Sequence, residues 1–226
     1  MADFADLRAR MVETQIAQRG IRDEAVLAAM RAVPRERFVP ESLAQHAYED
    51  SALPIGEAQT ISQPYIVAAM IEAAEVKPGD RVLEVGAGSG YAAAVLGRIA
   101  DRVFAIERHR VLAEEAEQRI AELGYGNIEL RVGDGTLGLP EEAPFDAILV
   151  AAAGPEVPPA LKQQLAIGGR MVLPIGERGG QQLCVVTRTE ADRCVEHILF
   201  PVAFVPLIGS QGWQEDGRRP ASSRPA

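Results

Sequence analysis

The chain has 226 residues, 47% apolar and 24% charged, an ordinary globular composition that can build one substantial core. A formal net charge of −9 gives a surface that repels nucleic-acid phosphate and anionic lipid, so neither nucleic acid nor membrane is expected as a partner. Cys184 and Cys194 fit no disulfide scaffold or zinc pattern, His46, His109 and His197 are scattered, and no apolar run reaches the length of a signal peptide or a bilayer span; a cytoplasmic, metal-free monomer is expected.

Apolar residues Phe4, Leu7, Met11 and Ile16 recur at helical spacing until Gly20. Asp23 reads as the N-cap of a second helix over Glu24 to Arg31, with Val26, Leu27 and Met30 on one face and Pro34 beyond it. Residues 39–63 read as irregular, with Pro40, Pro54 and Gly56. Pro64 reads as the first residue of a third helix whose buried stripe is Ile66, Val67, Met70 and Ile71. A helical and loop extension over 1–75 therefore precedes the first clear strand.

From there strands and helices alternate. Arg81 to Val85 is a strand, followed by glycines and a helix from about Ser89 to Ile99. Arg102 to Glu107 is the next strand, and its helix carries Leu112, Ala116, Ile120 and Leu123 on one face. Ile128 to Val132, Phe145 to Val150 and Arg170 to Leu173 continue the series. This alternation predicts a doubly wound, mostly parallel α/β sheet of Rossmann-like form, with helices on both faces and a ligand crevice at the strand carboxyl ends. Leu183 to Thr187 and Cys194 to Phe200 read as a hairpin, hence an antiparallel edge. The core is expected over 76–213, forming one compact domain with the extension, and 214–226 reads as a disordered tail.

The chemistry begins in Val82-Leu-Glu-Val-Gly-Ala-Gly-Ser-Gly-Tyr91. Gly86, Gly88 and Gly90 permit a tight turn and close approach of a ligand to the backbone. Glu107 ends the second strand about 20 residues later, where its carboxylate either accepts from both hydroxyls of a ribose or satisfies a helix N-terminus. Asp134, in Gly133-Asp134-Gly135 at the end of the third strand, either accepts from an adenine amino group or is a turn residue. A dinucleotide fingerprint needs its third glycine or alanine where Tyr91 stands, and no Gly-Lys-Ser/Thr is present to cradle phosphates. Glycines without phosphate chemistry, a ribose carboxylate and an adenine aspartate fit S-adenosylmethionine. The same residues resemble the class I methyltransferase pattern, which strengthens that cofactor and places Ala87, Arg108 and Gly135 beside it, with S-adenosylhomocysteine as product.

Val33 to Pro40, Ala47 to Ala68, Ala143 to Ile148, Gly168 to Gly176 and Phe204 to Leu207 together resemble the protein-L-isoaspartate O-methyltransferase family. The likeness covers roughly residues 7–213, and Gln59-Thr-Ile-Ser-Gln-Pro64 is its specific part, since generic methyltransferases lack it. Ala58 replaces a usual glycine, and Ala87 and Ala151 stand where threonine is common. The resemblance implies methylation of isoaspartyl residues in damaged peptides and proteins, with Ser62 as the active-site serine. It implies that Thr60 and Ile61 help close the cleft, that Phe204, Val205 and Pro206 receive the substrate backbone, and that the last two strands are exchanged relative to most methyltransferases. Physically, Ser62 either holds the substrate carboxylate or caps the helix opened by Pro64. The competing readings are a class I enzyme acting on another small-molecule carboxylate or hydroxyl, a nicotinamide oxidoreductase, and a binding module. No Asn/Asp-Pro-Pro-Tyr/Phe follows the fourth strand, which weakens an exocyclic-amine substrate.

Overall fold

The computed structural model describes residues 3–219. The first helix, α1 (Phe4–Met11), continues through a wide turn over Val12–Ile16 and a tight one over Ala17–Arg19, and Gly20, at φ 107°, ends it. Asp23 caps α2 (Glu24–Ala32), accepting from the Ala25 and Val26 amides. Two 3-10 turns, Arg35–Phe38 and Glu41–His46, follow. The segment expected to be irregular then forms a small antiparallel hairpin, β1 (Leu53–Gly56) with β2 (Gln59–Ile61). Its tip, Glu57-Ala58, adopts φ of 48° and 54° without glycine, and Leu53, Ile55 and Ile61 bury its inner face. Pro64 opens α3 (Pro64–Ala74), where its missing N–H costs nothing.

Seven strands form the main sheet: β3 (Arg81–Val85), β4 (Arg102–Glu107), β5 (Ile128–Val132), β6 (Phe145–Val150), β7 (Leu165–Ile175), β8 (Gln182–Glu190) and β9 (Arg193–Pro201). Their order is β5-β4-β3-β6-β7-β8-β9, parallel through β7 and antiparallel from β7 to β9. The last two strands thus follow one another across the sheet as a hairpin. Successive residues of β3 face opposite cores: Val82 joins α3 and α4 (Tyr91–Leu96), whereas Leu83 joins the cluster around Leu161 of α6 (Pro159–Gln164). The first of these cores runs from Met11 to Val185 and includes Leu112 and Ile120 of α5 (Arg110–Glu122), so extension and sheet share it.

The helix expected from Ser89 is shorter, Tyr91–Leu96, because Gly90 at φ 85° lies outside helical space. Strand order reverses between β3 and β6, and the crevice at their carboxyl ends is the switch point where open α/β sheets bind ligands. Residues 214–219 of the expected disordered tail are held by contacts, among them Glu215 to Arg108 and Arg219 to Glu177; residues 220–226 lie outside the described residues. No helix among the described residues is long and apolar enough to cross a membrane.

Candidate active site

A cavity of about 340 Å³ opens at the switch point. Its floor is the turn after β3. The amides of Gly86 and Ala87 donate to Ile106 O (2.8 and 3.1 Å), and Gly90 N donates to Ala87 O (2.8 Å), with positive φ at Gly86, Gly88 and Gly90. Gly86, Ala87 and Gly88 line the cavity. Gly90 does not. A Cβ there would stand 3.2 Å from Ala116 and Ile120, so its place in the fold is to let α5 pack closely.

Glu107 is 4% exposed and lies across the turn, with Oε2 accepting Gly88 N at 2.8 Å and Oε1 accepting His109 N at 2.9 Å. Each carboxylate oxygen keeps a second lone pair for a ligand hydroxyl. Arg108 is exposed at the rim and pairs with Glu215 at 2.9 Å, and both line the cavity. Beneath the turn, Glu84 is 1% exposed and its Oε2 has no partner among the described residues. Burial, and then the charge of Glu107, push its pKa up to about 8. Glu84 lines the cavity beside the glycine turn and Glu107, and a positive charge seated there would favour its ionised form.

Asp134, the residue expected to accept from an adenine amino group, makes four hydrogen bonds within the chain. Oδ1 accepts from Thr136 N and Oγ1 (2.9 and 2.6 Å), and Oδ2 accepts from Ser210 N and Oγ (2.7 and 2.6 Å). In this arrangement it caps its own turn and docks the segment after β9. Burial pushes its pKa up, but the hydrogen bonds from Ser210 and Thr136 outweigh that and hold it below the usual carboxylate value. Asp134 is not on the cavity wall, whereas Gly135 is.

The opposite wall comes from Gln59 to Ser62 of the hairpin strand β2 and the residues after it. A second, open cleft of about 1360 Å³ adjoins the cavity, lined in part by Ala58, Phe204 and Trp213. Thr60, Ser62, Ala151, Val205 and Pro206 lie on the wall common to both, Ile61 faces the first cavity only, and Phe204 the second only. Ser62 does not cap α3: the N-cap position belongs to Gln63, which makes no side-chain cap bond. Its hydroxyl makes no hydrogen bond among the described residues, while its carbonyl accepts from Arg35 Nη2 at 2.8 Å.

A family model described as protein-L-isoaspartate(D-aspartate) O-methyltransferase matches residues 7–212. Protein-L-isoaspartate O-methyltransferase 1 of Rhodopseudomonas palustris (strain HaA2) is 57% identical over 226 residues, covering 99% of this chain and 91% of the relative. The chain belongs to the protein-L-isoaspartate(D-aspartate) O-methyltransferase family. A solved protein-L-isoaspartate O-methyltransferase superposes with a TM-score of 0.81 at 31% identity, covering 91% of this chain and 67% of the other. A Plasmodium falciparum protein of the same description, solved in complex with S-adenosyl-L-homocysteine, gives a TM-score of 0.78 at 28% identity, covering 89% and 98%.

Within this family fold, three residues of consequence escape a reading of the sequence. Glu84 carries a signal, an acid inside the apolar run of a central strand. His109 lines the cofactor cavity, with Nδ1 3.6 Å from Glu57 Oε2 and Nε2 unpartnered, which only the approach of the hairpin tip creates. Arg35 looks like a surface residue among Arg31, Arg37 and Glu36, yet it is fully buried. Among the described residues no group of three or more His, Cys, Asp or Glu is placed to hold a metal.

Proposed function

We propose that this protein transfers the methyl group of S-adenosylmethionine to the free carboxylate of L-isoaspartyl residues in damaged proteins and peptides. The methyl ester then closes to a succinimide and repair begins. The observation that carries this reading is Ser62, which lines both the cofactor cavity and the open cleft and whose hydroxyl makes no hydrogen bond among the described residues. At about 1360 Å³ the cleft exceeds the usual range of roughly 300–1,000 Å³ for small-molecule sites, which favours a peptide over a small carboxylate.

S-adenosylmethionine supplies an electrophilic methyl carbon on a sulfonium. The substrate carboxylate is ionised near neutral pH, with a reference pKa near 4, so the chain needs no general base. What it provides is alignment, a donor and exclusion of water. Ser62 Oγ–H donates to one carboxylate oxygen without adding charge, leaving the other free to attack. Glu107 and the Gly86–Gly88 turn would hold the cofactor's ribose and the side nearest the backbone, and Glu84 would lie near its positive charge. The hairpin carrying Thr60 and Ile61 covers the site, and Val205 and Pro206 receive the peptide backbone. Because the reaction neutralises opposite charges, a drier site speeds it. The protein acts in this reading as a cytoplasmic monomer on isoaspartyl substrates rather than on nucleic acid or membrane, consistent with free Cys184 and Cys194 and a net charge of −9.

The test uses methyl-labelled cofactor and paired peptides differing only in aspartate or isoaspartate. Label is expected in the isoaspartyl peptide alone and is released as methanol in mild base. Equal labelling, or label stable to base, overturns the reading.

A further inference from the structure

Arg35 heads the fully buried side chains by size, is 0% exposed, and has no carboxylate partner among the described residues. Its Nε donates to Ala47 O and its Nη2 to Ser62 O, both at 2.8 Å, while Nη1 is unpartnered. The guanidinium carbon lies 4.7 Å from the centre of the Tyr91 ring, and Tyr91 itself lines the cofactor cavity. Burying a guanidinium without an anion is costly, and an apolar residue of similar volume is often as stable or more so at such a position. Bare stability is therefore a poor account of this arginine.

The place it grips is more telling. Pairing of β2 with β1 stops at Ile61, and the first helical acceptor of α3 is Gln63 O, bonded by Val67 N. Ser62 lies between these two supports and belongs to neither ladder. Arg35 is the donor that fixes its peptide, from a 3-10 turn 27 residues earlier in the chain. Arg35 itself lines neither cavity, so it acts on the site through Ser62 and Tyr91 rather than by touching substrate.

We propose that Arg35 is a positioning residue for methyl transfer: its guanidinium, seated on Tyr91, clamps the Ser62 carbonyl and so aims the Ser62 hydroxyl at the wall between cofactor and substrate. This rests on Ser62 being the residue that holds the substrate carboxylate. The planar fork is needed to reach the Ala47 and Ser62 carbonyls together, so lysine replaces it only in part.

A double-mutant cycle tests it on the full chain, with melting temperature, S-adenosylhomocysteine affinity, kcat and peptide KM read for each variant. R35M is expected to fold, to bind S-adenosylhomocysteine within about threefold of the parent, and to lose at least about tenfold in kcat. R35K is expected to fall between the two. In the S62A background R35M is expected to cost little more, because the hydroxyl it aims is already gone. Independent, multiplying losses in the double variant, or an R35M kcat within about twofold of the parent, overturn the proposal. If R35M does not fold, R35K is put through the same cycle and judged by the same rule. An S62A protein with the parent's turnover removes the reading of Ser62 itself, and that is seen before Arg35 is altered.

Discussion

The Gly88 amide donates to Glu107 Oε2 at 2.8 Å, so the glycine turn and the Glu107 carboxylate form one unit. Glu107→Ala removes a ligand acceptor and also releases the turn and the His109 amide. Affinity for S-adenosylhomocysteine is expected to fall by about 1.5–3 kcal/mol, the range for hydrogen bonds to a charged group, or about 10- to 100-fold. Titration calorimetry giving the parent's affinity would remove Glu107 from the cofactor site.

Ser62→Ala is expected to lower single-turnover methyl transfer by about 1.5–3 kcal/mol with cofactor affinity unchanged. Since Gln63 and not Ser62 occupies the N-cap of α3, the melting temperature should stay within about 2 °C of the parent. A parental rate on folded, cofactor-saturated protein ends the assignment.

Glu84 makes stability depend on pH in an unusual direction. Its folded pKa of about 8 stands above the ordinary glutamate value of 4.5. Below pH 4.5 it is protonated in both states and carries no penalty. Between the two values the unfolded chain loses the proton and the folded chain keeps it, so stability falls as pH rises, and above pH 8 the penalty is complete. Glu84→Gln should therefore gain on the parent by several kcal/mol, on the order of the full shift, between pH 5 and 8.5. Melting curves without cofactor check this, and a gain that does not vary with pH refutes it.

Asp134 works in the opposite sense. Its folded pKa is lowered, so its contribution is present above the unfolded value and is lost as pH falls through the folded one. Its grip on Ser210 depends on Gly209, where a Cβ would stand 2.1 Å from Asp134 Oδ1. Gly209→Ala is expected to cost about 1–3 kcal/mol as an overpacked contact and to speed amide exchange at Ser210 and Gln211. Unchanged protection at those amides would show that the segment is not docked on Asp134.

The central strands are legible in the sequence to the residue, as in Arg81–Val85 and Phe145–Val150, because apolar runs bounded by polar turns leave few alternatives. The β1–β2 hairpin is not, since Leu53–Gly56 contains Pro54 and its tip reaches left-handed φ at Glu57 and Ala58 rather than at glycine. In the site, the Gly86–Gly88 turn and Glu107 are adjacent to one another through neighbouring strands and can be read from spacing. The dock of Asp134 is Ser210, 76 residues away, and the support of Ser62 is Arg35, so neither leaves a local trace. Gly90 has the spacing of a ligand contact but faces Ala116 and Ile120.

Walls of the cofactor cavity come from distant stretches that include the hairpin near 59–62, the strand ends from 84 to 109, Gly135, residues 151–152, and the segment from 205 to 215. A ligand seated there is a non-covalent cross-link among parts of the chain that unfold separately only if it leaves. At a ligand concentration 100 times the dissociation constant, that coupling adds about 2.7 kcal/mol to the folded state. Its imprint should be greatest in slowed amide exchange at Thr60, Ile61 and Ile208, far apart in sequence and protected by one bound molecule.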